Sequence, residues 1–378
     1  MDIKKRSSNL ELLRIAAMLM IIAFHIYHHC ISGQLTDADS IARLDNGWFS
    51  DPVFYKRLLP LTIFSSMGCT GNVIFMTLTG YFMVAKGTGI QLFPIAKKLL
   101  LQQGYAAVLL LFASLAVFRR VPDAEITLTE IKLFNGMSWY VGYYFLVMLI
   151  ARLFLNRYLA RMDRNQYRLL LLALLCMTQF KWIIKLLNGI TGNLVVLITG
   201  VFLYALGGYI RRYNPFGHVR VIAILGVIAV VYGLLLLSTY NGVENRIQDY
   251  MHSESTDLFQ QYIPTVADNH ITAILLGVSY FELFRRLRMP SSRIINYIGS
   301  STFMIYLLHD NSFFYSIWGT KDWITALYES PMGYLLAHLK WTLITFAMGF
   351  LAYCGYQLLG RVVRSRPFRC LVLRKPEE

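Results

Sequence analysis

Three ionisable residues, Glu11, Arg14 and His25, stand inside the first long apolar run of the chain, Leu10 to Cys30. An imidazole, with an ordinary pKa near ~6.5, can take up a proton at neutral pH. A guanidinium is a permanent cation that can hold phosphates or polarise an oxygen as charge develops on it. A run of roughly 20 apolar residues is long enough to cross the hydrocarbon core of a bilayer as a helix. On such a helix Arg14 and His25, eleven positions apart, differ by three turns plus about 20°, so both project from one face roughly 16 Å apart along the axis. A guanidinium in lipid costs about 2.5–3.5 kcal/mol on the gentlest scale, so that face is expected to look into protein or a water-filled cavity. Glu11, three residues before Arg14, lies on a neighbouring ridge where the two can pair. The helix is expected to line a site.

The rest of the chain supplies the scaffold for that helix. Hydrophobic residues make up 56% of the sequence and charged ones 15%, and the mean hydropathy is +0.49. Ordinary globular chains are about a quarter charged, so these values point to an all-α, polytopic membrane protein. Ten candidate spans can be drawn, at 10–30, 59–84, 96–118, 137–156, 168–187, 190–210, 221–240, 270–287, 295–315 and 335–358. The fifth is the weakest, because Lys181, Trp182 and Lys185 stand near its far end. Met1 to Arg6 is basic, but the apolar run that follows contains Arg14 and lacks a small-residue cleavage site, so it is expected to stay as an anchor.

The net charge of +15 reads as a topology signal and not as a nucleic-acid surface. With the amino terminus in the cytoplasm, the inner segments hold 23 of the 36 Lys and Arg and the outer ones 11, with Arg14 and Arg152 inside spans. Cytoplasmic loops are enriched in such residues, and the bias persists on both sides of the fifth segment. Both termini are therefore expected inside, with a single transmembrane domain over 1–360 and a short basic tail over 361–378.

The five cysteines, Cys30, Cys69, Cys176, Cys354 and Cys370, are scattered without a C-x-x-C pair and read as small packed hydrophobes. His28 and His29 follow His25 closely, but no Asp, Glu or Cys at ligand spacing accompanies them, so no metal site is expected. The two longest outer loops carry Asp37, Asp39, Asp45 and Asp51, then Glu244, Asp249, Glu254, Asp257 and Asp268, interleaved with Trp48, Phe49, Tyr55, Tyr250 and Tyr262. Carboxylates beside aromatic faces suit a carbohydrate, and they equally suit a solvated loop with interfacial anchors.

The run from Glu11 through Leu12, Leu13 and Arg14 to His25 resembles the first helix of the acyltransferase 3 family, polytopic bacterial O-acyltransferases marked by Arg or Lys, ten residues, then His. Three further stretches resemble the same family: Gly71-Asn72 to Gly80-Tyr81-Phe82, Ser138-Trp139-Tyr140, and Ser300 through Thr302 and Tyr306 to His309-Asp310-Asn311. They occur in the expected order over nearly the whole chain. The opening and closing motifs are most similar to the subgroup that acts on surface polysaccharides.

The resemblance implies transfer of an acyl group, usually acetyl, from cytoplasmic acyl-coenzyme A to a hydroxyl of a surface or lipid-linked polysaccharide. The acyl-CoA is a co-substrate, and no bound cofactor is expected. His25 is then the base or a transient acyl carrier. Arg14 holds the donor's pyrophosphate or polarises its thioester, with Glu11 orienting it. His309 acts on the acceptor, or Asp310 orients a neighbouring imidazole. Trp139 and Tyr140 are candidate substrate contacts. The family's basic pair near the third helix has Lys97-Lys98 in its place here, while a literal Arg161-x-x-Arg164 occurs later. Both pairs are also plain cytoplasmic-loop charges. The resemblance implies a multi-pass protein of the bacterial inner membrane in contact with lipid. A transporter or flippase for a glycan or its lipid-linked precursor is the rival from another class; it predicts paired halves with broken helices, and no internal repeat is visible.

Overall fold

The computed structural model describes residues 7–34, 51–119, 139–191, 194–253 and 269–364, and every regular element among them is helical. The organising element is α1 (Ser8–Ile26), which passes at Tyr27–Ile31 into a π-helical turn. Its face bearing Leu10, Leu13, Ala17 and Ile21 is buried, as the apolar spacing predicts. That face meets α2 (Leu61–Met83). A Cβ at Gly71 of α2 would sit 2.5 Å from Cγ1 of Ile21 and 2.9 Å from the carbonyl oxygen of Ala17. Only glycine allows the two helices this approach, which is how helices associate where lipid removes the hydrophobic drive between them.

The remaining principal helices are α3 (Leu92–Phe118), α4 (Trp139–Ile150), α5 (Arg164–Gln179), α6 (Lys181–Thr191), α7 (Leu194–Tyr213), α8 (Val221–Ser253), α9 (Ile271–Arg286), α10 (Arg293–Ser300), α11 (Thr302–His309) and α12 (Pro331–Arg364). Among the described residues seven helices are long and apolar enough to cross a membrane: Ser8–Gln34, Leu61–Gly89, Leu92–Phe118, Trp139–Arg161, Leu194–Tyr213, Val221–Gly242 and Pro331–Val363. They match seven of the ten expected spans. Apolar side chains such as Ile222, Val230, Leu336 and Leu351 stay exposed on α8 and α12, the surface a lipid-facing helix presents.

The other three expected spans are shorter, each for a local reason. The fifth breaks at Phe180, whose backbone is extended, between α5 and α6. The eighth, α9, is 16 residues long and ends at Arg285 and Arg286, which pair with the buried Glu282 at 2.8 and 3.2 Å. The ninth is broken twice. It stops at Ser301 between α10 and α11, and again at Asp310 and Asn311, where the Asn311 side chain accepts hydrogen bonds from the backbone N–H groups of Phe313 and Phe314 and starts a new helix, Ser312–Trp318. Irregular backbone of this kind is tolerated at membrane depth only inside protein, and Asn311 is buried.

The segments assigned to the inner side by their charge meet at one end of the bundle. Asn9 donates to the carbonyls of Phe284 and Arg285, Arg212 to Leu159, and Arg286 to Val219. The alternate segments meet at the other end, where Gln34 pairs with Trp323, Gln179 with Asn269, and Thr62 with Thr239. The four described cysteines are unbridged, and Cys30 is buried. Asp37, Asp39, Asp45, Trp48, Phe49, Ser138, Glu254, Asp257, Tyr262, Asp268 and the tail from 365 to 378 lie outside the described residues.

Candidate functional site

Arg14 and His25 sit toward opposite ends of α1 and line two different cavities. The first, of about 310 Å³, is lined by Arg14, Lys98, Tyr140, Tyr144, Thr79, Ser300 and Thr302 among others. Arg14 is positioned from within its own helix: its guanidinium donates to Glu11 at 3.0 Å and lies over the Phe82 ring, 5.6 Å from its centroid. Glu11 is buried against Gly299 of α10, where a Cβ would collide with its carboxylate. The start of α1 is clamped there, with the Ser8 hydroxyl donating to Asn296 at 2.9 Å and accepting from the Ser292 N–H at 2.8 Å.

The second cavity, of about 590 Å³, is lined by His25, Phe24, Cys69, Trp139, Tyr143 and Asn269 among others. Here the polar partners come from the far end of the chain. Nδ1 of His25 lies 2.8 Å from Nε2 of His309, with the two rings nearly parallel at 8°. Nδ1 of His309 lies 3.1 Å from the carbonyl oxygen of Ile305 and 2.9 Å from that of Tyr306. A carbonyl only accepts, so this nitrogen carries the proton. In the neutral pair Nε2 of His309 is then the acceptor and Nδ1 of His25 the donor. That leaves the basic lone pair of His25 on Nε2, which has no hydrogen-bond partner among the described residues.

Asp310 completes the cluster. Its Oδ1 is 3.4 Å from Nδ1 of His25 and 3.5 Å from Nε2 of His29, and it accepts a hydrogen bond from the Tyr315 hydroxyl. His29 stacks on Tyr315 with centroids 3.9 Å apart. The break at Asp310 and Asn311 frees the carboxylate to turn toward α1, and the π turn at Tyr27–Ile31 rotates the residues after His25. Such turns recur where function needs a side chain re-aimed.

The spacing of His28 and His29 gave no ground for a metal, since no carboxylate accompanies them in sequence. In the structure the ligand atoms of His25, His29 and Asp310 lie within 4.8 Å of one another. A metal ion taken there through Nδ1 of His25 would have to displace His309 from that nitrogen, so the donor set fits a hydrogen-bonded cluster better than an ion.

Several expected site residues are brought together. Arg14, Lys98 and Tyr140 share the first cavity, and His25 and Trp139 the second. Others stand elsewhere. Lys97 is exposed and does not line the first cavity. Arg164 lies over Tyr213, 5.8 Å from its centroid, in neither cavity. His309 is fully buried and Asp310 nearly so, and neither lines the two cavities described above. Both contact His25, His309 at 2.8 Å and Asp310 at 3.4 Å. Reasoning on the sequence missed His338, whose Nε2 donates to the Ala23 carbonyl at 3.0 Å while Nδ1 accepts from Tyr334 at 3.1 Å. It also missed Tyr315. Their contacts with the first helix, His338 with Ala23 and Tyr315 with His29, carry no spacing signal, although Tyr334 and Asp310 are close to them in the chain.

The two cavities share one wall. Ile21, Asn72 and Tyr306 line both. The Tyr306 hydroxyl accepts from the backbone N–H of Tyr140 at 3.3 Å.

A family model described as an acyltransferase domain matches residues 7–363. No curated protein and no solved structure matches the chain.

Proposed function

The chain belongs to this acyltransferase family and is a membrane acyltransferase, and from that premise we propose that it moves an acetyl group from cytoplasmic acetyl-CoA to a hydroxyl of a surface or lipid-linked polysaccharide. The observation that carries the reading is the pair of cavities joined at one wall, one bearing Arg14 and Lys98, the other bearing His25. The phosphates of the donor meet Arg14 and Lys98 at the basic end of the bundle. The excess of Lys and Arg in the segments at that end supports a cytoplasmic position for it, and a bacterial inner membrane crossed ten times, with α5, α9 and the broken α10 and α11 completing the set, belongs to the same proposal. The thioester reaches toward the shared wall, and the sugar enters the cavity lined by Trp139 and Tyr143, whose rings suit a pyranose face.

In the transfer step Nε2 of His25 takes the proton from the acceptor hydroxyl as its oxygen bonds to the thioester carbon. The carbonyl π electrons move onto oxygen. When they return, the C–S bond breaks, and the coenzyme A thiolate leaves and recovers a proton from His25. His309 keeps the ring in the working tautomer, and Asp310, 3.4 Å from Nδ1, offsets the positive charge that His25 carries in between. This is the division of labour of other hydrogen-bonded base and carboxylate pairs.

The test is acetyl release and transfer by the purified protein in lipid nanodiscs. Acetyl-CoA and surface polysaccharide O-deacetylated by mild alkali are supplied, and the glycan is read by mass spectrometry. Acetylated product is expected. Passage of glycan across the bilayer without acetylation would restore the transporter reading.

A further inference from the structure

Two adjacent carboxamides in α3 are taken out of solvent without full compensation. Gln102 and Gln103 are 1% and 3% exposed. Oε1 of Gln102, and both Oε1 and Nε2 of Gln103, have no hydrogen-bond partner among the described residues. A buried amide left in that state is costly, and where one occurs it marks a place that water or a ligand satisfies. Their register says where that place is. Gln102 follows Lys98 by four residues and Gln103 follows Leu99 by four, so each stands one turn, roughly 6 Å, beyond a residue that lines the Arg14 cavity. On its buried side α3 packs against α4 and α11, and these two helices supply Tyr140, Tyr144, Thr302 and Tyr306 to the same cavity. Beyond the glutamines α3 continues to Phe118, whose ring lies 5.6 Å from that of Phe313, just past Asp310. The glutamines therefore stand between the Arg14 end of the bundle and the end that holds His25.

A donor with its phosphates at Arg14 and Lys98 and its thioester at the shared wall carries its middle past this turn of α3. In coenzyme A that middle is the pantetheine arm, with two amides, each bearing one N–H and one C=O. A glutamine side chain offers the complement of both groups. Cations would suit the phosphates and hydrocarbon an acyl tail, whereas neutral carboxamides suit an arm built of amides. Resting on the acyl-coenzyme A reading, we propose that Gln102 and Gln103 form the subsite for the pantetheine arm. Gln103 exchanges two hydrogen bonds with one amide, and Oε1 of Gln102 accepts from the N–H of the other. The arm reaches them by extending the Arg14 cavity one turn along α3.

The experiment compares wild type with Gln102→Met and Gln103→Met in nanodiscs, since Met keeps the length of the side chain and removes its polar atoms. The donors are acetyl-CoA and S-acetyl-4′-phosphopantetheine, which keeps the arm and lacks the nucleotide, with the O-deacetylated polysaccharide as acceptor. KM for each donor, kcat, and the melting temperature without donor are recorded. Each variant is expected to raise KM about tenfold for both donors alike, with kcat within threefold and the melting temperature unchanged or higher, because an uncompensated buried group has gone. KM within twofold of wild type for both donors, the result if only water meets the glutamines, would overturn the proposal. So would an effect confined to acetyl-CoA, which would put them at the nucleotide, or a joint fall in kcat and melting temperature with KM unmoved, which would make them packing residues. If wild type transfers acetyl from neither donor, the acyl-coenzyme A reading itself fails, and the subsite with it.

Discussion

The two ends of α1 solve the same problem in different ways. At one end a half-buried cation is answered locally: the buried Glu11, one turn away, pairs with Arg14 at 3.0 Å, and Gly299 makes room for the carboxylate. At the other, His25 is answered by His309 and Asp310, 284 and 285 positions later in the chain. The local answer tolerates relaxation, because one short helix segment carries both partners. The remote answer exists only when α10, α11 and the break at Asp310 are assembled. Binding of a charged donor can rest on the first kind of site, whereas a base that must hold one tautomer needs the second.

That contrast can be tested by removing parts in turn. His25→Ala is expected to lower acyl transfer by about 10³ or more, in line with loss of a general base that also starts the reaction, while the protein still inserts and accumulates. Retained transfer, measured by glycan acetylation, would take the remote end out of the chemistry. His309→Phe keeps the ring shape and deletes the acceptor, and kcat is expected to fall by about 10² with KM for acetyl-CoA unchanged, the pattern of a lost orienting group. A rise in KM as large as the fall in kcat would instead show that His309 touches substrate. Arg14→Lys retains the charge and loses the fork, so acetyl-CoA affinity should weaken by about tenfold with kcat nearly intact. An effect on kcat alone would place the guanidinium at the reacting carbonyl. Gly299→Ala should act least on chemistry. It crowds Glu11, costs about 1–3 kcal/mol in overpacking, and is read as a lower melting temperature with a modest rise in KM for acetyl-CoA. An unchanged melting point would mean that α10 does not hold the Arg14 end.

The same contrast explains what the sequence made legible. The shared face of Arg14 and His25 follows from helical periodicity, and so does the pairing of Glu11 with Arg14. Seven spans follow from hydropathy. The ninth span was drawn as one continuous helix, although Asp310-Asn311-Ser312 carries a helix-start signature in Asn311. The surrounding apolar residues outweighed it, and Asn311 was seen to cap a new helix only once the backbone turned. The eighth agrees with α9 to within a residue at each end, and the fifth contains a break at Phe180 that hydropathy does not register. His309 as the partner of His25 had no local mark at all. Lys97 and Lys98 looked equivalent in sequence, and a rotation of 100° about α3 separates one that lines a cavity from one that does not.

The proton on Nδ1 of His309 is held against two main-chain oxygens that have none to give. A peptide group two rings away therefore dictates which nitrogen of His25 meets the acceptor, and the direction of the relay is fixed by the backbone. Exchanging side chains in the pair can cut that circuit but cannot run it backwards, so any variant that rewired the chemistry would have to unwind the last turn of α11 first.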